Sequence, residues 1–295
     1  MKRTLTRWRT WVWVLPAVLL LLVFVYYPIV ENFRLSLFSW NAFSPRPIYV
    51  GLDNYRTAID DPVFWRALRN NTVFAITSLV FQVGFSLVLA AVLEEFVHQK
   101  LRGILRTIYF IPAVISITVA GILFSFLYNP QIGLVNEFLG AIGLDSWQHS
   151  WLGEPDTAMW SIIAMSQWQS IGYTAVLFVV AIQRVPREFY EAARVDGAAG
   201  LQAFTRITWP LVRPILLVTL LFRTLDALRA FDIMFVLTGG GPAGSTESLT
   251  VYAYRALFQT LQVGFGSAIG VVVFALVMVV AALYLRLIAG QERVA

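Results

Sequence analysis

The chain has 295 residues, 58% of them hydrophobic and only 13% Asp, Glu, Lys or Arg, with a net charge of +5. Soluble domains carry about 25% charged residues, so this chain lacks the polar side chains to coat a water-facing surface of its size, and lipid must be part of its solvent. It has no cysteine, which excludes disulfides, zinc fingers, iron–sulfur clusters and cysteine nucleophiles; His98 and His149, its two histidines, lack a second ligand at metal spacing.

A spanning helix needs about 20 mostly apolar residues. Six stretches qualify: 11–30, 70–93, 107–128, 157–183, 214–237 and 256–285. They are too long for barrel strands and lack strict alternation, and only helices or closed barrels pair every backbone polar group inside lipid. The expected fold is an all-α polytopic membrane protein with six transmembrane helices. The first stretch follows Lys2, Arg3, Arg7 and Arg9 but runs into YYPIVENF without a small-residue cleavage site, so it reads as a retained span rather than a signal peptide.

Lysine and arginine set the orientation, because they concentrate on the cytoplasmic side. They cluster before residue 10, in 94–106 (Lys100, Arg102, Arg106), in 184–213 (Arg184, Arg187, Arg194, Arg206, Arg213) and after 285 (Arg286, Arg293). Segment 129–156 has none and 238–255 has only Arg255. The arginines of 31–69 are offset in part by Glu31, Asp53, Asp60 and Asp61. Both termini are expected in the cytoplasm, and 31–69, 129–156 and 238–255 outside.

The fourth stretch contains SQWQSIGYTAV. Trp168 and Tyr173 are aromatics with polar edges, suited either to interfacial packing or to stacking on a sugar ring. Gln167, Gln169 and Ser170 add neutral hydrogen-bonding groups. The fifth stretch carries Arg223, Asp226, Arg229 and Asp232, each three residues from the next, a spacing at which helical neighbours touch. A charge at mid-bilayer costs about 2.5–3.5 kcal/mol. These four are therefore expected to pair and to face the bundle interior or a water-filled cavity, either as a structural ladder or as part of a solute path.

Between these two stretches, residues 186–210 read PREFYEAARVDGAAGLQAFTRITWP, too polar to span. Pro186 and Glu188 suit a helix start, and Phe189, Ala192, Ala193 and Val195 give a small apolar stripe. Gly197 and Gly200 can end that helix. Such a segment suits either an amphipathic helix at the lipid interface or a docking helix for a cytoplasmic partner. TGGGPAGST at 238–246 has the glycine spacing of a phosphate loop. Ser245 stands where the lysine should be, however, and Pro242 lacks an N–H, so it reads as an external turn.

EAARVDGA followed by ITWP resembles the EAA loop of the inner-membrane permease subunits of binding-protein-dependent ABC importers, with Glu191, Ala192, Ala193, Gly197, Ile207 and Pro210 on the motif positions. YPIVENFRLSLFSWN, GLDNYRTAIDDPVFWRALRNNTVFA, FDIMFVLTGGGPAGSTESL and VGFGSAIG, in that order, extend the resemblance over nearly the whole chain to the MalF-like, sugar-importing branch. The chain lacks the large external domain and additional N-terminal spans of the enterobacterial maltose permease.

The resemblance implies the type I, MetI-like permease fold, in the cytoplasmic membrane of a bacterium or archaeon. It implies a subunit that forms the path for a sugar, a di- or oligosaccharide, or a related polyol. In this reading Glu191, Ala192, Ala193, Asp196, Gly197, Ile207 and Pro210 couple to a cytoplasmic ATPase dimer. That dimer would bind ATP and magnesium, leaving this chain without a cofactor and without catalysis of its own. Trp168, Ser170, Tyr173, Arg223, Asp226, Ala227 and Ala230 are implied to line the solute pocket, although the maltose protein is uncharged where Arg223 and Asp226 fall. Gly239, Gly240, Gly241 and Pro242 are expected to touch an extracytoplasmic solute-binding protein. The remaining partners implied are a second, MalG-like permease subunit and the lipid bilayer, with no nucleic acid. The alternatives are a permease for another polar solute such as glycerol phosphate, or an ion-coupled secondary transporter using Asp226 and Asp232. Against the latter, no inverted repeat is evident.

Overall fold

A computed structural model describes residues 13–41, 43–198 and 200–291. Lys2, Arg3, Arg7, Arg9 and Arg293, which entered the orientation argument, lie outside the described residues. The described chain is helical apart from turns and a two-residue antiparallel pair, β1 (Phe38–Ser39) and β2 (Ile48–Tyr49). Its described residues divide into two compact units, one within Met1–Phe64 and Tyr252–Phe274, the other within Trp65–Val251 and Ala275–Ala295.

In the first unit, α1 (Trp13–Leu35) buries none of its most apolar window. All of that surface faces outward, which water penalises and lipid accepts. Behind it the chain is locked by polar side chains. Asn54, in α2 (Asp53–Asp60), donates to the carbonyls of Ser36 at 2.8 Å and Phe38 at 2.9 Å. The Ser36 hydroxyl meets Tyr55 at 2.6 Å. Asp61 accepts the Val63 amide at 2.8 Å and so caps α3 (Pro62–Glu95); its other oxygen takes the hydroxyl of Tyr252.

The second unit continues α3 and adds α4 (Gln99–Val114), α5 (Ile117–Leu127), α6 (Leu134–Ala141), α7 (Pro155–Gln183), α8 (Arg187–Val195), α9 (Trp209–Leu228) and α10 (Asp232–Thr238). α11 (Leu249–Tyr254) and α12 (Val263–Gln291) follow. α7 is the hub. Its 29 residues carry a charge only at Asp156 in the first turn, and its apolar side chains serve two cores. One gathers Phe74, Met159, Ile162, Met165, Met234 and Val251. The other gathers Val83, Leu87, Phe178, Ile182, Val212 and Leu216. At the ends of α3 and α7, Glu94 takes Arg102 at 2.8 Å, Arg106, and the Gln183 amide at 3.3 Å.

Among the described residues, four helices are long and apolar enough to cross a membrane: α1, α3, α7 and the Val263–Ile288 part of α12. A fifth crossing appears if α4 and α5 count as one span bent by 96°. Three expected stretches differ from the helices formed. The 107–128 stretch is the α4–α5 pair, broken at Ile115 and Ser116. The 214–237 stretch breaks between Leu228 and Asp232, because side chains from elsewhere satisfy the carbonyls there. The 256–285 stretch is interrupted: the π-helical Arg255–Gln259 stops before Leu261, whose positive φ of 57° no helix continues through, and α12 begins at Val263.

Candidate functional site

A cavity of about 470 Å³ opens among α3, α5, α7, α9 and α10, within the ~300–1,000 Å³ of small-molecule sites. Its α9 wall is charged. Asp226 sits between Arg223 at 3.7 Å and Arg229 at 3.4 Å, and Asp232 lines the same space. Arg223 is the sheltered member, its side chain 16% exposed against 59% for Asp226. Its guanidinium lies 5.1 Å from the centre of the Tyr173 ring, a cation–π contact that adds about 0.5–2 kcal/mol. The expected ladder therefore stops at Arg229. α9 ends at Leu228, so Arg229 and Asp232 are not on one helix and, among the described residues, form no ion pair. Asp232 instead opens α10, where the helix dipole favours an anion.

Neutral polar groups complete the lining. Ser78 and Gln82 come from α3, and Ser166, Gln169 and Ser170 from α7. Gln82 donates to Ser166 at 3.2 Å from a π-helical stretch, Leu79–Phe85, a distortion common at functional sites.

The break after α9 is built by Asn71, wholly buried in α3. Its amide nitrogen reaches the carbonyls of Ala227 at 3.4 Å and Leu228 at 3.2 Å, and its oxygen accepts the Leu249 amide at 2.7 Å. The Ala230 carbonyl is taken by Ser248 at 3.0 Å and Thr250 at 2.7 Å. These side chains replace the helical hydrogen bonds and let the chain turn beside the cavity.

The turn after α10 is ordered rather than a free flap. Gly239 ends α10 in the left-handed region (φ 59°), Gly241–Pro242 is cis, and Thr246 ties back to the Gly241 carbonyl at 2.6 Å. Arg66 and Asn70 hold the carbonyls of Ala243 at 2.8 Å and Gly244 at 3.0 Å. Gly240 is buried, and Gly239, Gly241 and Pro242 are half-buried.

α8 presents Glu191 and Ala192 outward with Ala193 half-buried, and leaves Phe189 and Val195 exposed. Asp196 is its C-cap and Gly197 follows at φ 78°. The amides of Gly197 and Ala198 bond back to Arg194 at 3.1 Å and Ala193 at 2.8 Å, a left-handed glycine ending. A Cβ on Gly197 would meet nothing within 4 Å, so glycine is needed there for its φ and not for space. Ile207 lies in the π-helical Phe204–Thr208 that leads into α9, and Pro210 sits in the first turn of α9. Tyr190 bonds Thr208 at 2.9 Å, joining α8 to that entry.

The family model for the inner membrane component of binding-protein-dependent transport systems matches residues 82–293. The chain belongs to that family. It is 45% identical to the probable ABC transporter permease protein YurN of Bacillus subtilis, with 91% of this chain and 92% of that one covered. It is 35% identical to the trehalose/maltose transport system permease protein MalF of Thermococcus litoralis, covering 92% and 91%. Its fold matches a chain in the crystal structure of a bacterial alginate ABC transporter in complex with alginate pentasaccharide-bound periplasmic protein, with a TM-score of 0.85 at 26% identity over 96% and 94% of the two chains. The protein is thus a multi-pass membrane permease subunit of an ABC transporter with the MetI-like fold, in a family that is not itself enzymatic.

Within this permease, Ser170, Arg223, Asp226, Ala227 and Ala230 line one cavity. Tyr173 reaches it through Arg223. Trp168 is outside the lining, its ring 5.1 Å from that of Phe124. Sequence reasoning missed Asn71, Ser78 and Gln82. They lie in an otherwise apolar span, and polar side chains at such depth were the available signal.

Proposed function

We propose that this permease carries a sugar across the cytoplasmic membrane, driven by a separate ATPase. The cavity carries the reading: it is bounded by interrupted helices and lined by paired charges and neutral amides and hydroxyls. Hydroxyl-rich solutes match such groups, because each sugar hydroxyl both donates and accepts. The relatives whose names include a sugar support the same reading. The lysine and arginine distribution places both termini in the cytoplasm, with the broken α9–α10 stretch serving as a sixth crossing beside the four apolar helices and the α4–α5 pair. In this topology Glu191 to Gly197 lies inside, where α8 docks on an ATPase dimer that holds the ATP and magnesium, and Gly239 to Pro242 faces a solute-binding protein outside. A second, homologous permease subunit completes the path.

The coupling role is tested by Gly197→Val in the assembled importer. A Cβ has room there but a left-handed φ costs about 1–2 kcal/mol for a non-glycine residue, so the chain should insert and assemble while solute-stimulated ATPase activity collapses. Undiminished stimulation would remove α8 from the coupling path. Uptake by the permease without any ATPase subunit would remove the ATP-driven reading altogether.

A further inference from the structure

The bend in the third expected span is held by a residue that also lines the cavity. α4 ends at Val114 and α5 begins at Ile117, with a 96° change of direction between them. Pro112 sits inside α4 and contributes no amide hydrogen. Ile115 is extended, at φ −73° and ψ 132°, so its carbonyl leaves the helical ladder. In a membrane no water replaces the lost donor. Gln169 of α7 supplies it, with Nε2 2.8 Å from the Ile115 carbonyl. Gln169 also lines the cavity, together with Ile117, the first residue of α5.

We propose that Gln169 is a positioning residue for transport: its amide donor fixes the α4–α5 bend and, through Ile117, the shape of the cavity wall. One side chain thereby ties the geometry of the solute site to the direction of a membrane helix. Straightening the bend withdraws that wall, and keeping the bend keeps the cavity. The proposal rests on the cavity lying on the solute path, and its structural half stands without any solute.

The test uses the full chain in lipid nanodiscs. The chain has no cysteine, so Ile104→Cys on α4 and Ile122→Cys on α5, both exposed, become its only labelling sites for an inter-spin distance. Gln169→Met removes donor and acceptor at similar size. Gln169→Glu keeps the size but donates only when protonated. Arg223, Asp226, Arg229 and Asp232 line the same cavity, and the unmutated chain titrated in parallel carries their contribution. The unmutated chain should give one narrow distance from about pH 4.5 to pH 9. Gln169→Met should give a shifted, broadened distribution throughout. Gln169→Glu should resemble Met at the alkaline end and narrow toward the acid end as its carboxyl gains a proton. An unmutated distance in Gln169→Met would overturn the proposal, as would an unmutated distance in Gln169→Glu at about pH 9, where a carboxylate has no proton to donate. Failure of the sugar-import reading shows separately, as no uptake by the unmutated importer while the bend is intact.

Discussion

Gly172 of α7 lies against the backbone carbonyl of Tyr109 on α4, so closely that a Cβ built on Gly172 would overlap that oxygen. The neighbour is backbone and cannot swing aside. Gly172→Ala should push α4 away from α7 and lower stability by about 1–3 kcal/mol, the range for overpacked sites. Gly103 on α4, where an added Cβ meets nothing within 4 Å, is the control: Gly103→Ala should be neutral or stabilise by up to ~1 kcal/mol. Thermal melting of the purified permease reads both.

Asn71 joins the Ala227 and Leu228 carbonyls at the end of α9 to the Leu249 amide. Asn71→Leu would leave the Leu249 amide and the Leu228 carbonyl without it in a buried place, at about 1–3 kcal/mol for each orphaned group, while the Ala227 carbonyl keeps the Ala230 amide at 3.3 Å. Expression and melting temperature should fall well below those of Thr72→Ala, since Thr72 is exposed and bonds only its own helix.

Asp226 is the shared partner of Arg223 and Arg229. Asp226→Ala leaves two arginines facing the cavity and should cut sugar uptake at least tenfold without loss of assembly. Asp226→Glu should retain more. Trp168→Ala removes a ring that lies against Phe124 and off the cavity lining, so its uptake should fall less than that of Asp226→Ala. Concentration-dependent uptake in vesicles containing the assembled importer separates the three variants.

Glu154, just before α7, accepts the Ser150 amide at 2.7 Å and pairs with His149 at 2.9 Å. The Ser150 hydrogen bond, with a smaller contribution from His149, lowers its pKa below the ordinary carboxylate value. A depressed carboxylate contributes stability that is present above its unfolded pKa and is lost as pH falls through the folded one. Hydrogen-exchange protection of the Ser150 amide should therefore hold at neutral pH and fade only under acid conditions below the usual carboxylate range. In Glu154→Gln the acid-dependent step should vanish.

Much of this protein was legible in its sequence. The apolar runs, the polar Arg187–Val195 helix and its Gly197 ending, and the glycine turn after α10 all depend on local composition and on φ values that glycine alone adopts readily. The charges on α9 were recognisable as needing partners, because lipid does not solvate them. The break at Arg229 was not, since it depends on Asn71, Ser248 and Thr250, which are remote from it in sequence and replace its helical hydrogen bonds. Nor was the bend at Ile115, whose donor is Gln169, 54 residues away.

By itself the sequence determined that the chain lives in lipid as helices, and the order of its motifs pointed to the family, because hydrophobic length and residue spacing are properties of the chain read in line. Only the tertiary structure decided where those helices stop being continuous and which side chains meet at the cavity. A backbone carbonyl in a membrane that leaves its helix needs another donor, and at these two breaks the donors are side chains such as Asn71 and Gln169 that come close only once the chain has folded.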